Sequence, residues 1–229
     1  MFLFPLFIKI KNYINVYAII KKYLYNKIEI TIKCTTRLEI YMKINNETII
    51  KDNNPLIREK SVPVSLPLSK EDEQLLRDMF QYVADSIDED KARELDLTPA
   101  VGISAIQVGV KKQLTAIIVH TIDKNDNEVV YQYMLANPKI VSTSVQKAYL
   151  SGGEGCLSVK NPHEGYVVRS ARVTVQAFDL VTNANITIRA RGYLAIVLQH
   201  EIDHFSGKLF YDYIDDKNPF PEVENAIEI

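Results

Sequence analysis

The chain has 229 residues, 47% hydrophobic and 24% charged, with a net charge of -2. That length allows one domain with a full core plus an appendage, with no need of covalent staples. The near-neutral charge leaves no electrostatic footprint for nucleic acid, and two cysteines, Cys34 and Cys156, form no disulfide framework and fit a reducing cytoplasm.

Residues 1–41 hold seven basic and two acidic residues, a net of +5, which leaves -7 for the remainder. The apolar run from Phe2 to Ile8 is closed by Lys9 and is too short to span a bilayer. It lacks the basic lead and cleavage site of a secretory signal, and one Arg with no Ser does not make a transit peptide. Residues 1–41 are therefore expected to be an extension outside the chemistry, disordered or reflecting a start assigned upstream of Met42. A single catalytic domain is expected over 42–229.

Within that domain, Pro55, Pro63 and Pro67 make residues 52–68 an extended arm. Ser69 with Asp72 three residues on marks a helix start. Leu75, Leu76, Met79, Phe80, Val83 and Ile87 follow at helical spacing, an amphipathic stripe made for core packing. Residues 86–99 are polar and read as a loop insertion. Leu114–His120 reads as a strand, Lys124–Glu128 as a turn and Val129–Leu135 as the returning strand, with Pro138–Ser142 and Val145–Leu150 as a further pair. Val173, Val175 and Ala177, then Ile186, Ile188 and Ala190, alternate with polar residues on either side of Asn183-Ala-Asn185, which predicts a hairpin. Hairpins with two helices predict an α+β fold: antiparallel sheets packed around a central helix, with a second, amphipathic helix nearer the N-terminus.

The central helix is the run from Gly192, where six apolar or aromatic residues lead into His200-Glu-Ile-Asp-His204. Residues at i and i+4 share one helix face, so the two imidazoles can hold one metal ion with Glu201 beside them as proton acceptor. Gly207 supplies the helix stop. A catalytic metal site needs a third protein ligand and an open position. Cys156, in the glycine-rich turn Ser151–Cys156, is the best candidate, and Glu222, Glu224 and Glu228 in the Pro-bearing tail are alternatives of the kind zinc peptidases use.

Three separated segments, Gly102-Ile-Ser-Ala-Ile-Gln107, Glu154-Gly-Cys-Leu-Ser158 and His200-Glu-Ile-Asp-His204, resemble the three motifs of peptide deformylase in the family's order. The insertion at 86–99 and the tail from Phe210 resemble the type 2, Gram-positive-like members. The resemblance implies that Cys156, His200 and His204 hold one divalent metal ion, Fe2+ by preference with Zn2+, Ni2+ or Co2+ as substitutes. It implies that Glu201 is the general acid/base, that Gln107 and the Leu157 N–H stabilise the oxyanion, and that Gly102 and Gly155 lie against substrate. The implied activity is removal of the formyl group from N-formylmethionyl nascent peptides in the bacterial cytoplasm, with transient ribosome contact and no membrane or direct nucleic-acid partner. Two other readings are a catalytically impaired deformylase-like peptide-binding protein and a different His-Glu-x-x-His metallopeptidase.

The first motif departs from the family pattern. Ala100 stands where a glycine is usual, and Ser104 adds a hydroxyl that needs a partner. Phe205 replaces a usual leucine. Asp203, between the two histidines, is expected to pair with Arg169 and hold the helix to the strands, and Glu154 to pin its own turn. His120 and His163 match no motif.

Overall fold

The structure, a computed structural model, describes residues 43–122 and 125–229. Residues 1–41 and Cys34, with the expectations attached to them, lie outside the described residues. The chain divides into units at Met1–Lys43 and Ile44–Ile229, and the architecture below is that of the second.

Helix α1 (Lys70–Ser86) begins where the cap signature puts it: the Ser69 side chain accepts from the Asp72 N–H. Leu75, Leu76, Met79 and Val83 are buried along it. A short helix α2 (Glu89–Glu94) occupies the expected loop insertion. Asp88 caps it, and it buries no residue, so no apolar period could reveal it.

A five-stranded antiparallel sheet follows in the order β1 (Gly102–Ser104), β2 (Leu114–Ile122), β3 (Glu128–Thr143), β6 (Arg172–Asp179), β7 (Ala184–Arg191). The predicted hairpin is β6–β7, in register from Arg172–Arg191 to Asp179–Ala184. The predicted pairing of Pro138–Ser142 with Val145–Leu150 is not found. Instead Val129–Leu135 and Pro138–Ser142 are one long strand. Register shifts between Ala136 and Lys139 absorb Pro138, and Asn137 takes a φ of 52° there. A bulge is where a sheet tolerates proline.

The second sheet is small: β5 (Arg169–Ser170), β4 (Lys147–Tyr149), β8 (Ile227–Glu228). β4 pairs antiparallel with β5 and parallel with β8, so the expected antiparallel sheets include one parallel pair.

Helix α3 (Gly192–His204) lies between the sheets and touches β1 through β7. Leu194, Ala195, Val197 and Leu198 enter one core with Ile117, Leu135, Val173, Val175 and Ile188. β2 is buried continuously from Leu114 to Val119, since both α1 and α3 pack on it. Gln199 adds a polar splice. Its amide oxygen accepts from Ser170 N and its nitrogen donates to Ser170 O, at 3.0 and 2.9 Å, so a side chain pairs with β5 as a strand would.

The helix ends as its sequence asks. Gly207 sits at φ 69°, and a Cβ there would come 2.0 Å from the Arg58 carbonyl oxygen, so no larger residue fits. None of the helices among the described residues is long and apolar enough to cross a membrane. Leu198 is fully buried in this core. Leu198→Ala is expected to lower unfolding stability by about 2–5 kcal/mol, the range for a cavity left by a buried leucine, measured by denaturant titration with the slope unchanged.

Candidate active site

The structure brings together three side chains far apart in sequence. Ligand atoms of Cys156, His200 and His204 all lie within 4.8 Å of one another. α3 supplies both histidines at i and i+4, and the turn after β4 supplies the cysteine. Glu222, Glu224 and Glu228 do not join this group. The Cys156 Sγ is 3.5 Å from the His204 Nε2. His204 is buried, which holds its pKa well below the ordinary value and keeps the imidazole neutral, as a metal ligand must be.

The donor set fits a metal. One thiol and two imidazoles form the three-ligand pattern of catalytic sites that keep a position open. His200 is oriented for it: its Nδ1 lies 2.8 Å from the Glu154 carboxylate. A carboxylate only accepts, so Nδ1 carries a proton, and Nε2 is the nitrogen turned to the other two ligand atoms and available to a metal.

Glu154 is itself fixed. Arg169 on β5 sends Nε to one of its oxygens and Nη2 to the other, the second bond at 3.0 Å, and sends Nη1 to Asp203 on α3 at 2.8 Å. The Arg169 and Glu154 side chains are each 4% exposed. Burial works against charge on both, yet the bonds with His200 and Arg169 hold Glu154 below the usual carboxylate range, and the bonds with Glu154 and Asp203 push the guanidinium further up. The expected Asp203–Arg169 pair is thus present, and Glu154, expected to pin its own turn, is bound to the same arginine as a third member. Tyr213, which carried no signal in the sequence, donates to the other Asp203 oxygen at 2.9 Å.

Glu201 is buried beside these residues. Burial raises its pKa, against the lowering effects of His200, Ser104 and Thr115. The Ser104 hydroxyl, the departure that needed a partner, finds it here, 2.7 Å from the Glu201 Oε2 and 3.0 Å from its carbonyl oxygen. Thr115 on β2 stands 3.4 Å from the same Oε2. The other oxygen, Oε1, faces Gly102: a Cβ at 102 would lie 2.6 Å from it. Position 102 must be glycine to leave room for this carboxylate. Ala100 does not take a positive φ, so the missing glycine costs no backbone strain there.

Gln107 is 1% exposed. Its Oε1 accepts from Ser104 N at 2.8 Å, and its Nε2 lies 3.2 Å from Ser158 Oγ and 3.5 Å from Cys156 Sγ. In the turn before Cys156 only Gly153 is left-handed, at φ 74°. Gly155 has open space where a side chain would be. Gly102, Gln107, Gly155, Leu157 and Glu201 all line a cleft of about 400 Å3, whose apolar wall includes Ile87, Val101, Leu150, Tyr193, Ile196 and Val197. His120 pairs with Glu128 at the surface, and His163 stacks on Tyr211; neither joins the three-ligand group.

Removing Arg169 would strand two carboxylates in a dry site. Arg169→Met is therefore expected to cost about 3–5 kcal/mol of stability, and Arg169→Lys to recover only part of it because an ammonium cannot reproduce the fork. Chemical denaturation of both variants checks this.

A family model of polypeptide deformylase matches residues 46–220. Peptide deformylase 2 of Bacillus subtilis is 47% identical over 186 residues, 81% of this chain and 98% of the relative. A peptide deformylase of Listeria monocytogenes is 49% identical over 173 residues, 76% and 92% of the two chains. Among solved structures, peptide deformylase from Ehrlichia chaffeensis superposes with a TM-score of 0.58 at 30% identity, over 75% of this chain and 89% of its own. A class I type b peptide deformylase from Acinetobacter baumannii with Met-ala-ser bound gives 0.57 at 25% identity, over 76% and 100%. The match spans all three motif segments and the whole cleft, and the chain belongs to the polypeptide deformylase family, metal-dependent enzymes that act on N-formyl peptides.

Proposed function

We propose that this cleft hydrolyses the formyl amide of N-formylmethionyl peptides, releasing formate and a free α-amino group. The observation that carries the reading is one thiol and two imidazoles within 4.8 Å of one another, with the buried Glu201 carboxylate facing the same cleft. Cys156, His200 and His204 are assigned as metal ligands. A divalent ion held by them supplies Lewis acidity, which makes water nucleophilic near neutral pH. By ligand softness the set suits Fe2+ or Zn2+. The family relation favours Fe2+, with Zn2+, Ni2+ and Co2+ as substitutes.

Glu201 accepts the proton of the attacking water and delivers it to the departing amine. Anchoring of Oε2 by Ser104 supports Oε1 as the oxygen that does this, because Oε1 is the one turned toward Gly102. Attack on the formyl carbon places negative charge on its oxygen. Gln107 Nε2 and the Leu157 N–H are assigned to stabilise that charge, both from residues that line the cleft. The apolar wall of Val101, Tyr193, Ile196 and Val197 suits a methionine side chain, and a Met-ala-ser peptide bound to the Acinetobacter relative supports the same occupant here. Gly102 and Gly155 are assigned to backbone contact with the peptide.

The catalytic unit is assigned to residues 42–229. A cytoplasmic, bacterial setting and a brief encounter with nascent chains at the ribosome belong to the same proposal.

Formate release from formyl-Met-Ala-Ser by anaerobically prepared protein tests the assignment. Glu201→Ala is expected to lower kcat by about 10²- to 10⁴-fold, the usual worth of a positioned acid/base, with metal content retained. Wild-type rates that survive this substitution would refute the role of Glu201. Chelation is expected to abolish activity and Fe2+ to restore it, whereas Cys156→Ala should fail to regain activity with any of the four ions.

A further inference from the structure

Residues 50–52 run between the two segments that carry the assigned oxyanion donors, and three consecutive residues each donate to them. Ile50 N donates to Gln107 O at 2.7 Å, Lys51 Nζ to Leu157 O at 2.6 Å, and Asp52 N to Ser158 O at 2.7 Å. The first and third bonds are main chain and persist in any variant. The middle one belongs to a side chain. Ile50 anchors the segment by packing on the cluster of Ile57, Ile106 and Leu209.

The Lys51 bond is unusual in what it joins. Lysines at a surface ordinarily face water or pair with a carboxylate. No carboxylate pairs with Lys51 among the described residues, and its ammonium is instead committed to one carbonyl 106 residues away. That carbonyl belongs to a residue only 8% exposed, so without Lys51 it has little water to turn to. Holding the Leu157 carbonyl fixes the 157–158 peptide plane and with it the Leu157 Cα, the atom it shares with the neighbouring plane that carries the Leu157 N–H. Ser158, next along, receives Gln107 Nε2 on its hydroxyl, so the same turn also holds the second donor.

We propose that Lys51 is a positioning residue for the oxyanion hole: it clamps the Leu157–Ser158 turn from behind, so that the Leu157 N–H and the Gln107 amide stay aimed at the reacting carbonyl oxygen. The inference rests on the assignment of those two groups as oxyanion donors. Their contribution depends on a donor distance close to 2.9 Å, and a displacement of about 1 Å can cost on the order of 10²-fold in rate. Lys51 is not among the residues that line the cleft, so loosening the turn is expected to act on the transition state and not on peptide binding.

The test is steady-state kinetics on metal-loaded Lys51→Met, Lys51→Arg and Gln107→Ala with formyl-Met-Ala-Ser. Lys51→Met is expected to lower kcat about tenfold to thirtyfold with KM within twofold of wild type and unchanged metal content. Lys51→Arg, which can still donate to the Leu157 carbonyl, is expected to return kcat to within about threefold of wild type. Lys51→Met with kcat within twofold of wild type, or with its loss explained by metal loss or a raised KM, would overturn the proposal. Should Lys51→Met fail to fold, Lys51→Leu is judged by the same criteria. Gln107→Ala separates the two levels: unchanged kcat there removes the oxyanion assignment itself, while a loss of about 10²-fold or more alongside a normal Lys51→Met removes only the role of Lys51.

Discussion

The arrangement depends on one buried guanidinium. Arg169 reaches from a two-residue strand to Glu154 in the cysteine turn and to Asp203 on the helix that carries both histidines. Through it, the elements that contribute sulfur and nitrogen to the site are tied at one point. Ion pairs this dry are poor sources of net stability, because each charge must first lose its water. Their worth is in geometry. Glu154 can orient His200 only while Arg169 holds Glu154, and Arg169 can hold it only while Asp203 and Tyr213 complete the cage. Apolar residues of the same volume could fill that space, but they could not dictate which imidazole nitrogen carries the proton.

A second level of restraint surrounds Glu201, the proposed proton-transfer group. Glu201 is enclosed, and the protein binds its two oxygens unequally. Ser104 and Thr115 take Oε2, while glycine at 102 clears space beside Oε1. Ser104 and Gln107 share a further link, the Ser104 N–H to the Gln107 Oε1. The first motif therefore acts as a bracket, joining the Glu201 carboxylate to the Gln107 amide beside the cysteine. This is why a hydroxyl at 104 is accommodated: it enters a buried network that has an acceptor to spare.

Local rules made much of this legible. The Ser69 cap, the apolar stripe of α1, the β6–β7 alternation and the His200–His204 spacing each follow from periods of 2 or 3.6 residues and from capping chemistry. Pro138 misled, because proline reads as a strand break and a bulge conceals it. α2 was invisible for lack of a buried face. β8 pairs with β4 across nearly 80 residues, and no local pattern encodes such a partner. Within the site, the histidine pair was readable from spacing; the cost of burying an acid called for a partner to Asp203, and the family resemblance pointed to Arg169. Cys156 already led the tail glutamates on its glycine-rich turn and its thiol, and the family pattern strengthened that reading. Thr115, Tyr213, Gln199 and Lys51 are ordinary residue types whose roles arise from contacts made only after the chain has folded.

The central claim is that Cys156 completes a sulfur-bearing metal centre with His200 and His204. X-ray absorption at the metal edge of zinc-loaded protein tests it most directly. The account predicts one sulfur at about 2.3 Å and two imidazole nitrogens at about 2.0–2.1 Å, with the sulfur lost in Cys156→Ala. A shell made only of nitrogen and oxygen in the unaltered protein would contradict it.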